Sequence, residues 1–186
     1  LEDVVIDGSG TTIKGMLEVE DDGDVLAANF PVYAPSEGDK ATLRAEGSGE
    51  GPVKVTLRGE VFDGRNFLRS AVSGRDASTK AKTKTPDFDL DLKLGVVAGY
   101  YGETLRGVDI KLSWRNDTVR GFSLSGKLGR DTPLSGDLRG RNQGREVIYL
   151  ETDDAGAFFR FTDVYAKMYG GRLALAMEPP VADPVA

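Results

Sequence analysis

A mainly β fold is predicted: antiparallel meander sheets forming a curled groove or an open sandwich, with one or two short amphipathic helices. Three observations point to it. Apolar residues recur at every second position through most of the chain, with Val, Leu, Thr, Tyr and Phe prominent. Glycines, 24 of 186 residues, and short Asp/Asn/Gly clusters punctuate these runs where turns are needed. A single stretch, residues 153–177, moves from the helical period to the strand period across a double glycine.

In chain order, Ile13, Leu17 and Val19 alternate with polar neighbours, and Asp21, Asp22, Gly23 and Asp24 supply a turn. Residues 25–33 read as a second strand and Ala41, Leu43 and Ala45 as a third; residues 47–52 form a flexible connection. Val53, Val55, Leu57 and Val61 make a fourth. Asp63 is placed to cap one or two helical turns carrying Phe67, Leu68, Ala71 and Val72 on one side. Residues 75–86, RDASTKAKTKTP, hold almost no large apolar side chain and read as an exposed connection. The alternative for that segment is a basic contact to anionic headgroups through Arg75, Lys80, Lys82 and Lys84.

Beyond it, Phe88, Leu90, Leu92, Leu94 and Val96 alternate with Asp87, Asp89, Asp91, Lys93 and Gly95. The pattern continues through Val108, Ile110, Leu112 and Trp114, then Phe122, Leu124 and Leu128, then Leu134 and Leu138. A last run reads as either Val147 with Tyr149 or Ile148 with Leu150. Turns are expected at 115–118, 129–132 and 141–144. One face of this sheet is strongly apolar. Barrel closure, a second sheet, a covering helix or a bound ligand would each shield it.

In residues 153–177, DDAGAFFRFTDVYAKMYGGRLALAM, Phe158, Phe161, Tyr165, Met168 and Tyr169 fall on one side of a helix, opposite Arg160, Asp163 and Lys167. Asp153 or Asp154 suits its N-cap, and Gly170 or Gly171 the left-handed conformation that ends helices. Leu173, Leu175 and Met177 then alternate as a strand. The organisation expected is one β-rich domain over 1–177, with subsections 1–74 and 87–177 joined by the basic connection 75–86. A Pro-rich tail or linker follows over 178–186, and the whole is expected to be part of a longer protein.

The chain has no Cys and no His. That removes thiolate zinc sites, Cys nucleophiles and the usual general base, and it suits an oxidising compartment. A net charge of −6 disfavours a nucleic-acid partner. No cofactor and no metal is expected. Asp21, Asp22 and Asp24 lack the twelve-residue calcium-loop pattern. Asp87, Asp89 and Asp91 repeat about 6.8 Å apart on one strand face, the pattern of a solvated edge and not of an acid/base pair. The Gly8, Gly10 and Gly15 run precedes a strand and not a helix, so it is a turn.

The segment at 153–177, with VTLRGEVFDGRNFL (55–68) and LRGVDIKLSWRNDTVRGFSLSGKL (105–128), resembles the C-terminal AsmA-like region of the AsmA-like envelope proteins, the family that includes TamB and YhdP. The likeness covers roughly residues 53–177. It implies a non-enzymatic periplasmic segment in a protein of Gram-negative bacteria, tethered to the inner membrane through another part of the chain. Phospholipid acyl chains would lie on an apolar β-groove on their way between inner and outer membranes, in support of outer-membrane biogenesis. The lipid-facing candidates are then Phe88, Leu90, Leu92, Leu94, Val108, Ile110, Leu112, Trp114, Phe122 and Leu124; Asp153, Asp154, Phe158, Phe161, Tyr165, Gly170 and Gly171 carry the helix and turn motif. Two other functions compete. In an assembly module the same face packs on the rest of the parent protein or an envelope partner, and in a hydrolase two carboxylates converge in a polar cleft.

Overall fold

The computed structural model describes residues 2–19, 25–47, 51–73, 86–140 and 146–179. The turn at Asp21, Asp22 and Asp24, the basic residues Arg75, Lys80, Lys82 and Lys84, the turn at 141–144 and all but the start of the tail lie outside them. Eleven strands form one sheet in strict sequence order. They are β1 (Glu2–Gly8), β2 (Thr11–Val19), β3 (Val25–Ala34), β4 (Lys40–Glu46), β5 (Val53–Asp63), β6 (Phe88–Ala98), β7 (Thr104–Arg115), β8 (Thr118–Leu128), β9 (Thr132–Gly140), β10 (Glu146–Thr152) and β11 (Leu173–Met177). Helix α1 (Arg65–Ser73) follows β5, and α2 (Ala155–Phe161) follows β10. The sheet is open: β1 and β11 are its two edges and do not meet.

Neighbours are antiparallel except β5 and β6, which run parallel from Val53↔Phe88 to Asp63↔Ala98. The two meanders therefore lie side by side in one layer, and among the described residues no second sheet covers them. Their turns follow the local chemistry. Asn116 and Asp117, at φ +50° and +58°, take the left-handed pair that a two-residue hairpin between twisted strands requires. The carboxylate of Asp87 accepts from the Asn116 N–H at 2.9 Å and fastens that hairpin to the start of β6.

A line of bulges crosses the sheet near the helix end. Extra residues stand at Pro31–Val32 in β3, at Glu60 in β5 and at Gly107–Val108 in β7, where Gly107 has φ +57°. Across the bulges of β5 and β7 the alternate residues that face the core change, from Leu57 to Phe62 and from Val108 to Leu105, and β6, in constant register between them, changes in step from Leu94 to Val97. Bulges bend strands and raise their twist, so a line of them bends the sheet.

At this bend α2 closes the core. Ala157 and Phe161 pack with Leu94, Leu105, Val108, Leu128 and Leu134, and Leu128 is fully buried. Phe161 lies on the backbone of Gly99, where there is no room for a Cβ. Asp154 is the N-cap, its Oδ1 accepting from Ala157 N at 2.9 Å. The expected longer helix is corrected: α2 stops at Phe161. Thr162 caps it by donating from both N and Oγ1 to the Phe158 carbonyl, and Asp163 turns out at φ +61°. Tyr165 is consequently 56% exposed rather than buried, and Tyr169 is exposed as well. Gly170 and Gly171 are left-handed as expected, at φ +64° and +85°, but they serve the other end of the helix. Their carbonyls accept from the N–H groups of Gly156 and Ala155 at 3.0 and 2.7 Å, which satisfies two free donors of the first turn.

Helix α1 is also corrected in one respect. Leu68 packs on the core, but Phe67 points outward. Asp63 accepts from the Arg65 backbone N–H at 3.0 Å and grips its guanidinium at 2.6 Å.

Removing the Phe161 ring should cost about 3 to 5 kcal/mol, because it empties a space lined by Leu94, Leu105 and Leu128. Tyr165→Ala should change stability by less than about 0.5 kcal/mol. Denaturant melts of the two variants compare them directly, and equal losses would mean that α2 has been placed wrongly.

Candidate functional site: an open apolar sheet face

Strand pairing turns the alternation of single strands into continuous rows. Phe30, Leu43, Leu57, Leu92, Ile110, Leu124, Gly136, Leu150 and Leu175 are successive register partners from β3 to β11. Beside this row, Ala28, Ala45, Val55, Leu90, Leu112 and Phe122 are partners from β3 to β8. At Gly136 the row narrows, with Leu150, Phe122 and Leu124 closing over the space a side chain would fill. No polar side chain interrupts either row.

The ten residues expected to face lipid all fall on this side of β6, β7 and β8, but in two environments. Leu94 and Val108 belong to the core beneath α2. Leu90, Leu92, Ile110, Leu112, Phe122 and Leu124 are half-buried, Leu92, Ile110 and Leu124 against the edge of that core, and among the described residues no helix or second sheet lies over them. At the far end Phe88 stacks on Trp114, ring centroids 6.3 Å apart, and Trp114 is buried. Its indole N–H has no acceptor among the described residues. Leu43, Leu57, Leu138, Ile148 and Leu150 extend the face beyond those ten, with Leu57, Ile148 and Leu150 buried and Leu57 part of the core. Their alternation is legible, but membership of the same face depends on the register of β5 on β6 and of β9 on β10.

The opposite side of the sheet is polar and paired. Arg115 Nη2 holds Asp89 Oδ2 at 2.7 Å while Ser113 Oγ donates to Asp89 Oδ1 at 2.8 Å; Arg58 Nη2 meets Asp91 Oδ2 at 2.8 Å, and Lys93 meets Asp109 at 3.2 Å. The guanidinium of Arg115, then the Ser113 hydroxyl, keeps the Asp89 carboxyl below the ordinary carboxylate range, and Arg58 does the same for Asp91. Both are thus held ionised by private partners, the reverse of a carboxyl poised to give up or take a proton. Asp39 shifts the other way. Burial raises its pKa against the hydrogen bonds it accepts from Asp63 N and Ser36 N at 2.6 and 2.9 Å, and it serves to tie the β3–β4 connection to β5.

Comparison with protein-family models, with curated proteins and with solved structures finds no match.

Since the folded pKa values of Asp89 and Asp91 are depressed, their stabilisation is complete above the unfolded value of about 3.9 and lost as pH falls below it toward the folded values. Both pairs are more than a third exposed on the carboxylate side, so Asp89→Asn should cost no more than about 1 kcal/mol near neutral pH and less in high salt. Its deficit relative to wild type should shrink in urea melts as the pH is lowered below the unfolded value of about 3.9. A deficit independent of pH would show that the carboxylate charge is not what Arg115 holds.

Proposed function

We propose that this chain is a non-enzymatic segment of an AsmA-like periplasmic protein, and that it accommodates or conducts phospholipid between inner and outer membranes. The observation that supports this reading is the uninterrupted apolar row over nine strands, half-buried or, at Leu57 and Leu150, buried, on a face with no second sheet above it among the described residues. Large contiguous apolar surface is uncommon on soluble proteins and marks a site for something apolar. Acyl chains suit it because the rows are long, free of polar groups and devoid of the isolated hydrogen-bonding handles that a specific small ligand needs. Shielding is worth about 0.8 kcal/mol for each CH₂ group kept from water, and headgroups stay wet at the open side. Many weak contacts of this kind permit movement, and no bond is made or broken. The resemblance of residues 53–177 to the AsmA-like family supports the same reading.

A second reading, an assembly module, is favoured by the free edge of β1. There Val5 is 70% exposed beside unpaired backbone groups, and a neighbouring strand of the parent protein or an envelope partner would extend the sheet.

In the full-length parent protein in cells, a photo-crosslinking residue at Leu90, Leu92, Ile110 or Leu112 should capture phospholipid, while one at Lys93 or Lys111 on the opposite side should not. Leu92→Asp should block passage and leave the domain folded, since an open face hydrates the charge; a dry interface would penalise it by several kcal/mol. Crosslinks to protein alone from those positions, with Leu92→Asp unfolding the domain, would favour assembly and overturn the lipid reading.

A further inference from the structure

Among the described residues, one polar atom on the open face lacks a partner. The two apolar rows hold no polar side chain, but the next row toward the uncapped end, Val53, Phe88, Trp114 and Val119, holds the indole of Trp114. That side chain is 9% exposed, and its N–H has no acceptor. A buried donor left unmade costs free energy that a ligand's acceptor would recover. Buried polar atoms of Asp91, Arg106 and Asp117 also lack a partner. Asp91 and Arg106, however, are engaged through their remaining atoms, and Asp117 sits in the β7–β8 turn, so Trp114 is the one on the apolar face. Beside it β8 carries a bulge. Trp114 pairs with Val119 and Ser113 with Gly121, so Arg120 is the extra residue; it is exposed and enters no ion pair or hydrogen bond among the described residues. Of the acids at this end, Asp87 accepts from the Asn116 N–H, Asp89 is held by Arg115 and Ser113, and Asp117 makes no ion pair with Arg120.

The two ends of the face differ in what they admit. At one, α2 closes over Leu94 and Val108, which leaves a polar headgroup no exit; at the other, no helix among the described residues stands over Phe88 and Trp114. From Val108 to Trp114 the strand runs about 20 Å, the length of an extended fatty acyl chain. We propose that the Phe88–Trp114 end is a subsite for the polar end of a phospholipid, with the Trp114 N–H donating to an acyl ester carbonyl and the Arg120 guanidinium meeting the phosphate. This subsite rests on the reading of the open face as a place for phospholipid and adds a direction to it, the methyl end of the chain lying toward α2. An indole is suited to that boundary, because its ring stays in hydrocarbon while its single donor serves the first polar group of the lipid. Arginine in turn matches a phosphate with charge-assisted hydrogen bonds. The enclosed N–H is reached as Phe88, half-buried and stacked on the indole, gives way.

Trp114 is the chain's one tryptophan, so its emission reports on the subsite directly. The 186-residue chain is titrated with lysophosphatidylglycerol below its micelle concentration, brominated near either the ester or the methyl end of its chain. Bromine near the ester should quench Trp114 more strongly. In calorimetry, wild type should bind the ester lipid about fivefold more tightly than its ether analogue, the effect of one neutral hydrogen bond. In Trp114→Phe, which keeps a ring against Phe88 and removes the donor, the two lipids should bind alike. Arg120→Gln should weaken lysophosphatidylglycerol severalfold without weakening monoacylglycerol, which has no phosphate. Equal quenching from both bromine positions, an ester preference that survives in Trp114→Phe, or an Arg120→Gln variant that binds as wild type does overturns the subsite while lipid still binds the face. Folded wild type that binds none of these lipids overturns the subsite and the lipid reading together. Glycerol phosphate that binds as tightly as the lysolipid would assign the site to a free phosphate ligand and overturn it as well. Should Trp114→Phe fail to fold, the quenching and the ester preference of wild type decide, and the absence of either overturns the subsite.

Discussion

The parallel joint between β5 and β6 is the constraint on which the rest of the molecule depends. Each meander has its own apolar side, and only one register lays Val55 and Leu57 beside Leu90 and Leu92 so that the two sides become one. A slip of one residue would set Asp89 and Asp91 among the leucines and expel Leu90 and Leu92 to the polar side. The pairs on the polar face reinforce the register. Arg58 in β5 reaches Asp91 in β6 both through its carboxylate and through its backbone carbonyl, at 2.8 and 2.6 Å, so a neighbour in any other register leaves that guanidinium without its fork. Exposed ion pairs stabilise little, but across this joint they discriminate between alignments that the hydrophobic effect alone would leave closer in energy.

A single sheet whose apolar face carries no second sheet among the described residues is an unusual way to be stable. The burden falls on the bulged end. There α2 and Leu68 of α1 complete a core around Leu94, Val108 and Leu128, against which Leu92, Ile110 and Leu124 of the central strands also pack. The bulges of β5 and β7 change which alternate residues are buried, from Leu57 to Phe62 and from Val108 to Leu105, so that residues of both parities join the core at the helix end.

Much of this was legible in the sequence, and what was missed has identifiable causes. Strands whose apolar residues alternate strictly, from Phe88 to Val96 and from Val108 to Trp114, emerge where expected because one buried face imposes period two. β1 escaped because Val4, Val5 and Ile6 are consecutive and show no period. The helix was half read. Phe158 and Phe161 obey the helical pattern and the N-cap is Asp154, but Tyr165 and Tyr169 continue the pattern into residues that are not helical. Periodicity cannot register a stop made by a Thr162 side chain and a left-handed Asp163, neither a residue with strong breaking propensity. The double glycine was correctly read as left-handed, yet which helix end its carbonyls serve is a tertiary fact. The extent of the candidate site was hidden for a similar reason: ten of its residues stand out locally, while Leu43, Leu57 and Leu150 join them only through pairings between strands.

The two ends of the open face are built from different chemistry. At the bulged end the residues are locked: Phe161 fills the space over Gly99, the Gly170 and Gly171 carbonyls close the first turn of α2, and Arg160 is held at once by Glu103 and the Met168 carbonyl. A group bound by so many directional contacts moves only at the cost of breaking several of them together. At the other end no helix among the described residues stands over Phe88 and Trp114, which rest on each other, and the Arg115 guanidinium braces the strand ends by donating to the carbonyls of Phe88 and Trp114 at 2.8 Å each. On the proposed reading, an acyl chain lying along the sheet would therefore find a fixed wall at α2. Its freedom would lie across the strands, along rows whose register partners remain apolar from Phe30 to Leu175. Strand order follows chain order, so travel along those rows is travel along the sequence, and a sheet extended at its free edges would extend the path with it.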